Sequence, residues 1–227
     1  FLTCFLCQME AVKPLDPNSP LFYPFKAFFI QKLSLDYFQI TLAPDLQSFI
    51  DDKDISALRV NFDFDAVHMM PTQYINRISK AASNIMQKMS MYLSIVPLSV
   101  RRLLAQISAT QLVINYNTYN DIDLANFFFI NCCLLPAISE PHMIGLDAAG
   151  SPQFVFDDLA NLFFFSNYMN LRFHPPFVFT MTAVLDSNQF KTKKLVNSLI
   201  ETSNSEPVGV FYEALIQQAS DRYQKTV

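Results

Sequence analysis

The stretch Ile130-Asn131-Cys132-Cys133-Leu134-Leu135-Pro136-Ala137-Ile138-Ser139-Glu140-Pro141 decides how this chain is read. It continues an apolar run that begins at Leu124, directly after Asp123, a residue type suited to capping a helix start. Residues 124–135 carry apolar side chains on nearly every face of a helical wheel, and such a helix belongs at the centre of a bundle. The apolar stretch 124–138 falls short of the ~20 residues that cross a bilayer, and it contains Asn126, Asn131 and Pro136. A buried core helix is therefore expected, with other helices covering it.

The rest of the chain supplies those covers. Residues 1–12 read as a short apolar helix, and Lys13-Pro14-Leu15-Asp16-Pro17-Asn18-Ser19-Pro20 as a proline-punctuated loop. Two helices follow over 21–33 and 36–50, the second capped by Asp36, with Leu42, Leu46, Phe49 and Ile50 at helical spacing. Asp51-Asp52-Lys53-Asp54 reads as a solvated turn and 62–70 as irregular chain. Pro71 suits the first turn of a long helix to about Leu93, whose apolar stripe is Ile75, Ile78, Ala82, Ile85, Met86, Met89 and Leu93. A helix from Pro97 carries Val100, Leu103, Leu104, Ile107 and Leu112. Ser151-Pro152 starts another that runs to Leu171, and further helices are expected near 177–185, 189–200 and 207–223. No fixed-period repeat occurs, so the expected fold is all-α: one irregular multi-helix domain over residues 1–227.

Composition narrows the chemistry. With 51% hydrophobic residues, 23 Phe and no Trp, the 227-residue chain has the makings of an aromatic core rather than of a disordered segment. A net charge of −4 gives no general attraction to nucleic acid. Only Gly145, Gly150 and Gly209 are present, too few and too scattered for a phosphate-cradling loop, so no nucleotide cofactor is expected. Cys4, Cys7, Cys132 and Cys133 read as free thiols of a reducing, cytoplasmic setting, the second pair lying in the apolar run. His68, His142 and His174 have no metal-helix spacing, no G-x-S-x-G elbow is present, and Asp63 and Asp65 read as solvent-facing neighbours of aromatics. No metal, signal peptide or transmembrane segment is expected, and a start at Phe1 implies that the sequence belongs to a longer protein. The residues alone lead to a helical bundle without a visible catalytic constellation.

Pro136-Ala137-Ile138 followed by Pro141, at the end of an apolar helix, resembles the F-L-R-F-x-x-P-A-I-x-x-P segment of Ras GTPase-activating domains. Four further segments match in the family's order. Asn18-Ser19 with Tyr37-Phe38-Gln39-Ile40-Thr41-Leu42 is similar to its N-S-L-A-T loop and the Y-L-x-x-T-L that follows, and Phe64-Asp65-Ala66-Val67 to its E-V-D-P-x turn. Pro97-Leu98-Ser99-Val100-Arg101 is similar to its P-x-x-L-R helix start, and Ser166-Asn167-Tyr168-Met169-Asn170 to its Q-N-L-A-N helix. The resemblance is strongest over residues 14–185, leaving 186–227 as C-terminal helices. It implies an all-α domain with a shallow groove for the switch regions of a GTP-bound small GTPase, and recruitment to membranes, where it occurs, through that GTPase or through other domains.

The departures bear on chemistry. The family's arginine finger falls on Asp16, with Pro17 where the family has glycine. Such a finger is worth roughly 10³–10⁵ in rate, or about 4–7 kcal/mol of barrier, and an aspartate brings the wrong charge to that transition state. Lys13, the nearest cation, lacks the planar fork of a guanidinium. The family's second arginine falls on Cys132, and a lysine that meets the GTPase falls on Phe163. The resemblance thus implies a GTPase-binding or regulatory domain without finger-driven catalysis, its contacts at Asp16, Pro17, Asn18, Ser19, Pro136, Pro141, Phe163 and Asn170, while Asn170 and Arg101 brace helices or loops. Two alternatives stand beside it. One is an active GTPase activator that draws its arginine from Arg59, Arg77, Arg102 or from residues before Phe1. The other is a structural helical module with no GTPase partner.

Overall fold

The structure is a computed structural model that describes residues 22–55, 72–114, 123–168 and 190–204. Among the described residues every regular element is a helix, as expected from the scarcity of glycine. They are α1 (Tyr23–Leu33), α2 (Tyr37–Thr41), α3 (Ala43–Asp51), α4 (Thr72–Met91), α5 (Leu98–Ile114), α6 (Leu124–Phe129), α7 (Leu135–Ser139), α8 (Gln153–Tyr168) and α9 (Lys193–Asn204). No helix among them is long and apolar enough to cross a membrane. The expected helices over 1–12, 177–185 and 207–223 lie outside the described residues, as do Asp63, Asp65, His68, His174, Cys4 and Cys7.

The central helix lies where its composition demands. Asp123 caps α6 by accepting a hydrogen bond from the Asn126 backbone N–H at 3.1 Å. Every residue from Leu124 to Leu134 is buried. α1, α5, α8 and α9 pack around the segment formed by α6, α7 and the turn between them. The contact with α1 is aromatic: Phe25 meets Phe128 edge-on at 4.9 Å between ring centroids, and Phe22 meets Phe128 at 5.3 Å and Phe127 at 6.0 Å. Each such pair adds ~0.5–1.5 kcal/mol beyond the area that it buries.

The segment is not the uniform α-helix that its hydropathy predicts. Ile130–Leu134 forms a π-helical turn, closed by the Leu135 N–H on the Ile130 carbonyl. Pro136 supplies the reason. Its ring has no N–H for the carbonyl four residues back and would collide with it in a regular α-helix, and a wider turn just ahead moves that carbonyl aside. The side chain of Asn131 then donates to the Phe127 carbonyl at 3.0 Å, which satisfies a buried amide within its own helix.

Two other expectations need correction. The single helix over 36–50 is two, α2 and α3, because Pro44 sits in the first turn of α3 and cannot donate to a continuing ladder. Asp36 occupies the residue before α2 but makes no side-chain capping bond. The long helix ends at Met91, and Leu93–Ile95 continues as a 3₁₀ turn. On α4 the buried face includes Tyr74 and Ala81 as well as most of the expected stripe, while Ile75 and Leu93 are only partly buried. The reading of the methionines as core holds for Met86 and Met89.

Polar ties between helices fix their register. Tyr37 donates to the Met89 carbonyl at 2.9 Å, joining α2 to α4, and Tyr74 donates to Asp158 at 2.7 Å, joining α4 to α8. Asp45 on α3 takes both Lys88 at 2.6 Å and Asn84 at 3.0 Å from α4. The deepest tie gathers three elements at the start of α9. The Thr192 hydroxyl donates to Asn126 Oδ1 at 2.6 Å, while Asn167 accepts from the Thr192 N–H at 3.0 Å and donates to the Phe163 and Phe190 carbonyls. Thr192 is fully buried, so Thr192→Val leaves the Asn126 oxygen short of a donor in a dry site. The expected cost is ~1–3 kcal/mol, read from urea unfolding midpoints. A loss below about 0.5 kcal/mol, the range of an ordinary surface substitution, contradicts this placement.

Candidate functional site

The described residues form an open trough of about 1240 Å³. Small-molecule sites are enclosed and of ~300–1,000 Å³, so this one has the size and openness of a place for a protein surface. Its floor is the proline-bearing end of the central segment, with Asn131, Leu135, Pro136, Ser139 and Glu140. α1 and α8 both pack against the π-helical turn from either side and form the walls.

Helical periodicity explains which side chains reach the trough. On α1 they are Tyr23, Lys26, Ala27, Ile30 and Gln31, all on one face, while Phe22, Phe29 and Leu33 on the other face are buried. On α8 they are Asp157, Ala160, Asn161 and Phe164, at the i, i+3, i+4, i+7 spacing of a single face. Gln153 steadies the end of this wall, its amide donating to the Ser139 carbonyl at 2.7 Å and to Asp157 at 3.0 Å. Two large apolar side chains stand at the rim. Tyr23 is 57% exposed and Met143 is 38% exposed, residue types that anchor protein interfaces when a partner covers them.

The structure sorts the residues singled out from the sequence. Pro136 lines the floor, and Pro141 is buried in the 3₁₀ turn Pro141–Ile144, where it ends α7 and turns the chain away. Gly145 follows at φ 83°, a left-handed conformation that glycine adopts without strain. Phe163 is fully buried, its ring 6.4 Å from that of Phe190. It is a core residue and presents no surface to a partner; its neighbour Phe164 is the one that faces the trough. Asp16, Pro17, Asn18, Ser19 and Asn170 lie outside the described residues.

Cys132 and Cys133 are buried free thiols beneath the trough. Burial pushes the Cys132 thiol up to about 12, with the ammonium of Lys26 pulling weakly the other way. Cys133 and Tyr37 are also raised by burial, and the neighbouring thiol adds to the effect for each. Neutral at physiological pH and without access to solvent, neither thiol acts as a nucleophile.

Arginine is absent from the described lining of the trough. Arg77 pairs with Asp52 at the turn after α3, and that turn is the solvated one expected from its charges. Arg101 donates from Nε to the Val96 carbonyl at 3.1 Å and from Nη1 to the Thr202 carbonyl at 3.4 Å, which is the bracing expected of it. Arg102 stands on α5, away from both walls, and Arg59 lies outside the described residues. Lys26 is the cation that the sequence reading missed. Nothing in its local sequence marks it, because its place depends on how α1 rolls against Phe128.

Among the described residues no group of His, Cys, Asp and Glu is arranged to hold a metal ion. No family model, curated protein or solved structure matches the chain.

The thiols yield a pH test. An unfolded thiol loses its proton near ~8.5, whereas folded Cys132 keeps it to about 12. The unfolded state is then the one favoured by rising pH, so the stability held by these groups is complete below ~8.5 and lost as pH climbs toward 12. In a Cys4→Ser/Cys7→Ser background, stability should fall above that point by up to ~1.4 kcal/mol per pH unit for each thiol. Replacing Cys132 and Cys133 by Ala should flatten the slope. An unchanged slope would show that the thiols already titrate in the folded protein.

Proposed function

We propose that this chain is a regulatory docking domain that receives a GTP-bound small GTPase of the Ras superfamily in the trough, without supplying a catalytic arginine. One observation carries the reading. Pro136, in the segment that most closely resembles Ras GTPase-activating domains, lies on the floor of the trough.

The chemistry of the trough favours binding over catalysis. Stabilising the charge of a transferring phosphoryl group calls for a preorganised cation with several donors, and arginine meets that need. With Asp16 at the finger position and buried Cys132 at the second, the domain would hold its partner through Tyr23, Met143 and the polar rim. A GTPase held this way would hydrolyse GTP near its own intrinsic rate. The domain would act in the cytoplasm.

Pulldown of a panel of small GTPases, each loaded with GTP analogue or GDP, tests the docking. Retention of at least one GTPase in its GTP form over its GDP form is expected. Retention of none in either state would leave the structural-module reading in its place. Single-turnover hydrolysis by the retained GTPase tests the chemistry. The domain should change the rate by less than about tenfold, against the roughly 10³–10⁵ that an arginine finger supplies. Stimulation above about a hundredfold would mean that an arginine reaches the nucleotide after all.

A further inference from the structure

The charged side chains of the trough are sorted by wall. Lys26 stands on the α1 wall, half-buried, its ammonium 5.9 Å from the centroid of the Tyr23 ring. Among the described residues no carboxylate lies within ion-pair distance of it. Asp157 belongs to the α8 wall, and Glu140 follows the last residue of α7. Both are exposed, and no lysine or arginine of the described residues pairs with either; the neighbour of Glu140 is His142, at 3.8 Å. Apart from Glu140 at its edge, the floor between the walls is neutral. Its one buried amide, Asn131, already spends a donor on the Phe127 carbonyl.

We propose that the trough reads its partner by charge in one fixed orientation, taking a carboxylate against Lys26 and a basic side chain against Asp157 and Glu140. The identity of the partner as a small GTPase rests on the docking reading above; the charge pattern does not. Separated charges on facing walls act differently from a net charge. A field of one sign accelerates encounter with any oppositely charged surface, whereas a cation facing anions rewards one orientation and penalises its reverse by placing like charges together. Lys26 has the greater leverage, since a half-buried ammonium interacts more strongly than one in open water. Its contact with the Tyr23 ring offsets part of its desolvation and leaves its charge to be met by a partner. The preferred surface is thus zwitterionic, with acid and base separated by the width of the trough.

The test uses the full chain and whichever GTP-loaded GTPase the panel retains, with Lys26→Glu, Asp157→Lys and, away from the trough, Lys53→Glu. Circular dichroism and urea unfolding establish that each variant folds, and Lys26→Gln replaces Lys26→Glu if it does not. Lys26→Glu and Asp157→Lys should each weaken binding about tenfold or more, less so at high salt, while Lys53→Glu stays within about twofold. Weakening by Lys26→Glu together with tightening by Asp157→Lys would reveal a simple net-charge effect and overturn the proposal. So would both variants binding like the parent. A second arm needs no GTPase: immobilised short peptides carrying one Glu and one Arg at varied spacing, beside Glu-only and Arg-only peptides. If no GTPase binds but the two-charge peptides are retained above the others, the docking reading fails and the charge reading stands. If neither binds, both fall.

Discussion

A helix that is apolar around its whole circumference has one stable place, the interior, and this single constraint organises the molecule. The segment from Leu124 onward buries the rings of Phe127, Phe128 and Phe129 in different directions, so no single neighbour can cover it. α1, α5, α8 and α9 do so together. Each of these helices contributes one apolar face to the centre, and their order around it follows. The polar groups that such a centre would otherwise strand are consumed internally, Asn131 by the Phe127 carbonyl and Asn126 by Thr192.

The trough is a by-product of that covering. Pro136 forces the wide turn that precedes α7, and α1 and α8 flank the altered stretch while packing against it separately. The space left between them is lined by the outer faces of helices whose inner faces are core. Side chains on such walls are held more firmly than those on loops, because any roll of α1 would pull Phe25 and Phe22 off Phe128. The site and the core therefore share one set of constraints.

Much of this was legible in the sequence. Asp123 as a cap, the burial of 124–134, the stripe on α4 and the burial of Cys132 and Cys133 all follow from hydropathy and helical spacing, which are local properties. Local chemistry also misled. Asp36 has the right identity for a cap, but its side chain makes no capping bond, and Pro44 divides a run whose apolar periodicity continues through it. The resemblance sets Phe163 at a contact surface, whereas one step around α8 makes it core and leaves Phe164 in the trough. Lys26 and the tie between Asn126, Asn167 and Thr192 were invisible because they depend on how distant segments meet. Two asparagines inside an apolar helix were the available signal, since a buried amide always needs a partner.

The claim that the trough is the docking surface is tested most directly by amide hydrogen exchange on the domain, alone and saturated with its GTP-loaded partner. Added protection is expected to be confined to α1, residues 135–143 and residues 153–164 of α8, with α4 and α5 unchanged. Protection centred on α4 or α5, with α1 and α8 exchanging as in the free domain, would contradict it.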